Sequence, residues 1–191
     1  MCGSGTIPIE AAMIAKNIAP GLSRDFDAMK WTYIPKKRWK EERKKAFDSI
    51  IFDPGFRIYA SDIDQRTVDF ARENAVEAGV DDIITFSTKD VSKLKLSKLD
   101  VIDEGGIPKS GSIVTNPPYG QRIGEKEAIN SIYDALRKMR AEDPSWEINL
   151  ITPDKEFEKK FKKSADKRRK LYNGNIESCY YQYFGKEKGN E

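Results

Sequence analysis

The chain has 191 residues, a length that suits one α/β domain, and a net charge of +3. It has no histidine, which removes the commonest general base near neutral pH and the commonest metal ligand. The two cysteines, Cys2 and Cys179, lie far apart and form neither a metal-type cluster nor a disulfide framework, so we expect no metal and a reducing cytoplasmic location. No apolar stretch approaches the about 18 residues of a membrane helix, and no signal-like leader follows Met1, so we expect neither a span nor secretion.

Predicted helices alternate with predicted strands along the chain. A glycine turn at Cys2–Thr6 precedes a helix over Ile7–Asn17, which Thr6 can cap. The segment 22–54 is polar, aromatic and basic, and we predict an insertion with one helix around Trp39–Ile51. Strands are predicted at the following positions: Phe56–Ser61, Ile83–Ser87, Ser112–Thr115 and Ile148–Thr152.

The remaining elements complete an α/β pattern. Asp64 can cap a helix that ends at Gly79, another helix is predicted over Lys126–Ala141, and Asp154 starts a basic helix. Asn173–Asn175 is a hairpin signal that predicts an antiparallel strand at one sheet edge. The alternation predicts a Rossmann-like α/β fold, with a mainly parallel sheet and helices on both faces. Ligands in such folds bind beyond the carboxyl ends of the strands.

Three candidate motifs sit just after a predicted strand, or where one is expected, at that edge. Gly3 and Gly5 let the backbone turn tightly and approach a ligand, although glycine turns before helices are common. Asp62 ends a strand where an acidic residue can accept hydrogen bonds from ribose hydroxyls, and Ile63 can pack on an adenine ring. Asp90 follows the next strand and can accept a bond from an adenine amino group; the alternative is an ordinary loop aspartate.

The strongest motif is Asn116-Pro117-Pro118-Tyr119, directly after an apolar strand. The two prolines fix the backbone and remove two N–H donors, which leaves main-chain carbonyls as acceptors. Together with the side-chain carbonyl of Asn116 they can bind both hydrogens of an –NH₂ group, while Tyr119 stacks on the flat base that carries it. Such a site needs no histidine, metal or covalent nucleophile. The alternative is a rigid turn capped by the asparagine.

Two segments concentrate positive charge on an otherwise acidic chain. Lys36–Lys45 holds seven basic and two acidic residues, and Lys155–Lys170 holds nine basic and three acidic residues. Two such patches favour a polyanionic partner, although either one alone could be a solvated helix face.

These motifs, in this order and spacing, resemble those of the class I S-adenosylmethionine-dependent amino-methyltransferases. The run Cys2–Ala12, followed by Ala19-Pro20-Gly21 and Trp31, is similar to a narrower bacterial group, the N6-adenine-specific DNA methylases together with the ribosomal RNA large-subunit guanine-N2 methyltransferases. The resemblance covers essentially the whole chain. It implies S-adenosyl-L-methionine as cofactor and ribosomal RNA as partner, and it leaves the oligomeric state open.

The resemblance also implies a role for each motif. Asn116–Tyr119 would bind the target amine, with Asn116 also close to the cofactor. The cofactor-binding residues would be these: Cys2, Gly3, Ser4, Gly5, Thr6, Asp62, Ile63 and Asp90. Members of the group carry a strand and an Asp-Pro pair before the glycine turn, and an RNA-binding domain upstream. We therefore expect residues 1–191 to be one catalytic domain whose first strand and upstream domain are missing.

Four functions fit the motifs to different degrees. Methylation of guanine N2 in ribosomal RNA is the leading interpretation, and adenine-N6 methylation of DNA or RNA is the second. Asn-Pro-Pro-Tyr is also typical of protein-glutamine methyltransferases, but the basic patches count against a protein substrate. A non-catalytic RNA-binding fragment is the alternative from a different class.

Overall fold

The computed structural model describes residues 1–96, 99, 110–119 and 125–186. It has five α-helices in this part of the chain: α1 (Thr6–Ala15), α2 (Lys36–Asp48), α3 (Gln65–Glu77), α4 (Glu125–Glu142) and α5 (Phe157–Phe161). Short 3₁₀ turns lie at Asp27–Lys30, Asp81–Ile83 and Val91–Lys93. From its sequence, the segment 89–109 is predicted to be mostly a connector between two strands. Most of that segment, and Gly120 after Tyr119, fall outside the described residues.

Six strands form two hydrogen-bonded groups. They are β1 (Ile58–Asp62), β2 (Ile84–Thr88), β3 (Ser112–Thr115), β4 (Glu147–Thr152), β5 (Lys167–Asn173) and β6 (Ile176–Tyr183). β1 pairs with β2 in parallel, and the other four follow the order β3-β4-β6-β5. β3 and β4 are parallel, whereas β6 runs antiparallel to both β4 and β5.

Each group of strands has its own apolar core. α1 and α3 pack with β1 and β2 around Ala12, Ala60, Ala75 and Val80, which are all buried. The second core is aromatic and joins α4 and α5 to β4 and β6. Its ring cluster consists of Tyr133, Phe157, Phe161, Tyr181 and Tyr183.

The predicted fold class is confirmed, and most element bounds shift by one to three residues. The hairpin turns at Gly174 and Asn175 as predicted, because Asn173 pairs with Ile176. β6 lies between β4 and β5, so the hairpin adds two antiparallel pairings and the second group is mixed rather than mainly parallel. The predicted cap at Thr6 is wrong by one residue, since Thr6 is already the first residue of α1 and Gly5 is the N-cap. Gly5 has a left-handed φ of 89°, a conformation that glycine adopts readily.

The predicted basic helix after Asp154 is the largest departure. α5 spans only Phe157–Phe161, and both of its phenylalanines are buried. Lys162 takes a left-handed φ of 58° and ends the helix, after which the chain enters β5. The two phenylalanines fix the helix on the core, so the Lys155–Lys170 patch is spread over a short helix, a turn and a strand.

Removal of a buried ring should destabilise the protein much more than removal of an exposed ring. Phe157 is fully buried and contacts four aromatic rings, so Phe157→Ala should lower the free energy of unfolding by about 3–5 kcal/mol. Phe70→Ala is the matched control, since Phe70 is 63% exposed and its loss should change stability by about 0.5 kcal/mol or less. Chemical denaturation measures both; equal losses would contradict the assignment of the core.

Candidate functional site at the carboxyl ends of the strands

The carboxyl ends of β1 and β2 lie side by side. Asp62 is opposite Thr88 in their parallel register, and the Lys89 N–H donates to the Asp62 carbonyl at 2.8 Å. The Thr88 hydroxyl donates to Gln65 Oε1 at 2.6 Å, which ties the start of α3 to the end of β2. These bonds fix the two strand ends that were predicted to carry Asp62 and Asp90.

The glycine turn is attached to the end of β1. The Cys2 N–H donates to the Ser61 carbonyl at 2.8 Å, and the Gly3 N–H donates to Asp62 Oδ2 at 3.0 Å. Gly3 has a φ of 55°, and a Cβ placed there would meet no atom within 4 Å, so the turn presents open backbone. Gly5 is different, because a Cβ there would lie 3.1 Å from Ala71 Cβ on α3. Gly5 therefore allows close packing, and Gly3 leaves room for a ligand.

Asp62 holds a charged carboxylate in a half-buried position. Burial by itself would raise the pKa of Asp62, but N–H donors from Gly3 at 3.0 Å and Asp64 at 3.2 Å outweigh it and lower the pKa. A carboxylate oxygen has two lone pairs, so Oδ1, which accepts the Asp64 N–H, retains the capacity to accept a further bond.

Cys2 has no feature of a reactive thiol. Its side chain is half-buried, and burial raises the pKa of the Cys2 thiol. A raised pKa keeps sulfur protonated near neutral pH and a poor nucleophile. Cys2 therefore contributes backbone and shape to the turn.

Ile63 and Asp90 extend this edge of the sheet. Ile63 follows Asp62 and is 71% exposed, so its apolar side chain is open to a flat ring. Asp90 Oδ1 accepts bonds from the N–H and the hydroxyl of Ser92, both at 2.8 Å, which lower the pKa of Asp90. Asp90 thus caps the 3₁₀ turn through Oδ1, a structural role like that of the ordinary loop aspartate given above as the alternative. Its second oxygen takes no part in that cap, so binding of an adenine amino group stays a prediction.

The Asn116–Tyr119 segment leaves the end of β3 as predicted. Thr115 and Pro117 are buried, whereas Asn116 and Pro118 are exposed and Tyr119 is half-buried. The segment is therefore anchored by alternate residues and presents the Asn116 amide to solvent. All of its peptide bonds are trans.

Met1 lies between the two strand ends. Its backbone nitrogen donates to the Ser61 carbonyl at the end of β1, and its sulfur is 3.9 Å from Thr115 Oγ1 at the end of β3. Met1 thus contacts the residues at the carboxyl ends of both β1 and β3, although no hydrogen bond joins these two strands among the described residues. The strand expected before the glycine turn stays a prediction.

The structure also contains a contact that sequence patterns did not reveal. Asn74 on α3 donates its side-chain amide to the Ser4 carbonyl at 2.9 Å, which holds the middle of the glycine turn. The Ser4 and Thr6 hydroxyls lie 3.5 Å apart on the exposed side of this turn. Nothing local marks Asn74, because a polar residue on an exposed helix face is ordinary.

The basic segment on α2 is partly neutralised by neighbouring acids. Three of its residues, here called the paired lysines, form ion pairs within α2: Lys37, Lys44 and Lys45. Arg43 pairs with Asp25 at 3.0 Å. Three others, here called the unpaired cations, are exposed and have no ion pair within the described residues: Lys36, Arg38 and Lys40.

The second basic patch has a similar division. Five of its residues form ion pairs, two of them with Glu177 on β6: Lys155, Lys159, Lys160, Arg168 and Lys170. Four exposed residues are without such a pair in the described part of the chain: Lys162, Lys163, Lys167 and Arg169. Both patches therefore keep a smaller charge than the sequence suggests.

Metal ligation and membrane insertion both find no support in the part of the chain that the structure describes. No group of three or more cysteine, aspartate or glutamate side chains is arranged there to hold a metal ion. No helix in the same ranges is long and apolar enough to cross a membrane.

The chain is similar in sequence to proteins that are named as RNA methyltransferases. The chain is 40% identical over 185 residues to "Putative RNA methyltransferase YpsC" of Bacillus subtilis, a match that covers 97% of this chain and 46% of the relative. It is 38% identical over 187 residues to the ribosomal RNA large subunit methyltransferase K/L of Shewanella woodyi, covering 95% of this chain and 25% of that protein.

Solved structures share the fold over nearly the whole chain. The structure of SMU.472, determined in complex with SAH, superposes with a TM-score of 0.87 at 35% identity and covers 99% of this chain and 48% of its own. A predicted N6-adenine-specific DNA methylase from Listeria monocytogenes superposes with a TM-score of 0.84 at 39% identity, covering 97% and 45%.

The chain spans about half the length, or less, of the relatives it matches. The family described as UPF0020, RMKL-like, methyltransferase domain, matches residues 1–182. That match includes the glycine turn, Asp62 and Asn116–Tyr119. The chain belongs to the RMKL-like methyltransferase domain family.

Proposed function

We propose that this chain is the catalytic domain of an S-adenosylmethionine-dependent enzyme that methylates an exocyclic amino group on a nucleic-acid base. The observation that carries the proposal is the exposed Asn116 at the end of β3, next to Thr115, which contacts Met1 at the start of the glycine turn bonded to Asp62. The substrate we propose is guanine N2 of ribosomal RNA, and the enzyme would act in the cytoplasm.

The residues present fit S-adenosylmethionine. Open backbone at Gly3 suits the methionine part, and the Asp62 carboxylate can accept bonds from ribose hydroxyls. The exposed Ile63 would pack on the adenine ring, and the second oxygen of Asp90 would accept a bond from its amino group. The solved relative SMU.472 holds SAH, the product that S-adenosylmethionine leaves after methyl transfer, which supports the same cofactor here.

The chain's own contribution is to orient the amine. The Asn116 side-chain carbonyl and the backbone carbonyl before Pro118 accept the two amine hydrogens. This arrangement turns the nitrogen lone pair out of conjugation with the base, and Tyr119 stacks on the ring. The bound cofactor supplies an electrophilic methyl group.

The transfer balances without a metal or a covalent enzyme intermediate. The nitrogen lone pair forms the new N–C bond, the S–C bond breaks, and its electron pair remains on sulfur. The nitrogen becomes positively charged and then loses one proton to water. Asn116 is most effective at that stage, because its carbonyl dipole faces the charge that develops.

RNA is favoured over protein as the substrate class. Both basic patches keep exposed cations without ion pairs among the described residues, which suits a phosphate backbone. Two relatives are named for RNA or ribosomal RNA, and the K/L name supports the ribosomal assignment. The name of the Listeria structure favours adenine N6 as the second candidate. The same site accommodates either base, because it binds the amine rather than the ring edge.

Substitution of Asn116 tests the catalytic assignment. Asn116→Ala should lower single-turnover methyl transfer to ribosomal RNA by about a hundred- to thousand-fold, because it removes an interaction that is strongest in the transition state. Cofactor affinity should stay near the parent value.

Asp62→Ala should instead weaken cofactor binding by about 1.5–3 kcal/mol, the usual cost of a lost bond to a charged group. Calorimetry and labelled-cofactor transfer separate the two effects.

Asn149→Ala provides the matched structural control. Asn149 is a buried asparagine on the neighbouring strand, bonded to Ser112 and Tyr180, so its loss should lower the melting temperature and leave turnover per folded molecule unchanged. If Asn116→Ala behaves like this control, destabilised with normal turnover, Asn116 only caps the Pro-Pro turn. Asn116 would then have no role in orienting the amine.

The basic patches predict a salt-dependent affinity for RNA. Each phosphate contact should contribute about −0.7 to the slope of log affinity against log salt for a single strand. Replacing the three unpaired cations with glutamine should therefore make the slope shallower by about 2. The same replacement of the paired lysines should change it less, since their charge is already offset. Equal slopes for parent and both variants would mean that α2 is only a solvated face.

A further inference from the structure

Two aromatic side chains before α2 lie open to solvent and stack on each other. The ring centroids of Trp31 and Tyr33 are 5.5 Å apart, with 27° between the planes. Trp31 is 52% exposed and Tyr33 is 74% exposed, so most of their surface remains uncovered. An exposed aromatic pair of this kind is a common feature of binding surfaces.

The loop that carries the pair is held by its own contacts. The Trp31 N–H donates to the Ala28 carbonyl at 3.2 Å, and the Ile34 N–H donates to the Trp31 carbonyl at 3.4 Å. Behind it, Phe26 and Trp39 stack at 6.1 Å and join the loop to α2. The pair is therefore held in place in advance, which lowers the entropy cost of binding.

The surroundings of the pair are positively charged. The unpaired cations begin three residues after Tyr33 and continue along the first half of α2. Aromatic rings next to free cations are the combination that binds single-stranded nucleic acid, because every base has a face that can stack. The first half of α2, which follows the pair, is rich in positive charge and so complements a phosphate backbone.

We infer that Trp31 and Tyr33 form a stacking platform for an unpaired base of the RNA, while the unpaired cations contact the adjoining phosphates. The inference rests on the proposed function only in taking RNA as the substrate class. It goes further by assigning RNA recognition to a surface built by the insertion at 22–54. The platform acts on affinity for the RNA and does not touch the reacting atoms.

Equilibrium binding of a short single-stranded oligoribonucleotide of mixed sequence tests the platform without any methyl transfer. Trp31→Ala and Tyr33→Ala should each weaken binding by about 5- to 150-fold, the range found for one lost base stack. Trp31→Phe and Tyr33→Phe keep a ring and should bind within about threefold of the parent. Phe70→Ala removes an exposed aromatic from α3, where no such cation cluster lies beside it among the described residues, and should leave binding unchanged.

Two further measurements distinguish stacking on the bases from electrostatic attraction to the phosphates. Binding should quench the fluorescence of Trp31, and Trp31→Phe should remove that quenching, because Trp146 is buried and Trp39 is half-buried. An abasic oligonucleotide should bind the parent as weakly as the alanine variants bind the intact strand. Unchanged RNA affinity in both alanine variants would overturn the inference and point to a protein contact. Equal weakening for intact and abasic strands would also overturn it.

The proposed function and this inference can fail separately. If the alanine variants lose RNA affinity while no methyl is transferred to RNA, the platform stands and the proposed reaction fails. If methyl transfer proceeds and both alanine variants keep the parent's KM for RNA, the reaction stands and the platform fails.

Discussion

The bond from the Gly3 N–H to the Asp62 carboxylate is the contact on which the rest of the site depends. It joins residues 59 positions apart and fixes the glycine turn against the end of β1. Ordering such a loop costs backbone entropy, and a charge-assisted bond in a half-buried position offsets part of that cost. Asn74 holds the next residue of the turn, and Lys89 ties the end of β2 to the same aspartate. A carboxylate that organises the turn is also well placed to bind a ligand that enters it.

The proposed site would depend on charge and on a rigid backbone to orient its substrate. Pro117 is buried and anchors the segment after β3, so the exposed Asn116 amide is presented without a flexible hinge. An amine nucleophile needs orientation more than it needs a strong base, because its proton leaves only after the nitrogen has become positively charged.

Features that depend on neighbouring residues in the sequence were predictable, and long-range contacts were not. The hairpin at Gly174, the helix end at Gly79 and the strand before Asn116 follow from local backbone preference, and the structure confirms them. The Gly3–Asp62 bond and the support from Asn74 involve partners 59 and 70 positions away, which no local pattern marks.

The Lys155–Lys170 patch illustrates the same limit for charge. Its sequence suggests a basic helix, but Phe157 and Phe161 bury a five-residue α5, and Glu177 on a later strand pairs with two of the lysines. When acidic residues from distant parts of the chain pair with a basic segment, the net charge of that segment overestimates the positive field that a partner meets.

The central claim is that the site at the ends of β1 and β3 methylates an exocyclic amino group of a nucleic-acid base. The most direct test is to incubate the protein with isotopically labelled S-adenosylmethionine and unmodified ribosomal RNA, digest the RNA to nucleosides, and identify the labelled product by mass spectrometry. The account predicts the label on an exocyclic nitrogen, as N2-methylguanosine. A label on a ring nitrogen, a ring carbon or a ribose oxygen would contradict it, because the proposed role of the Asn116–Tyr119 segment is to bind both hydrogens of one –NH₂ group.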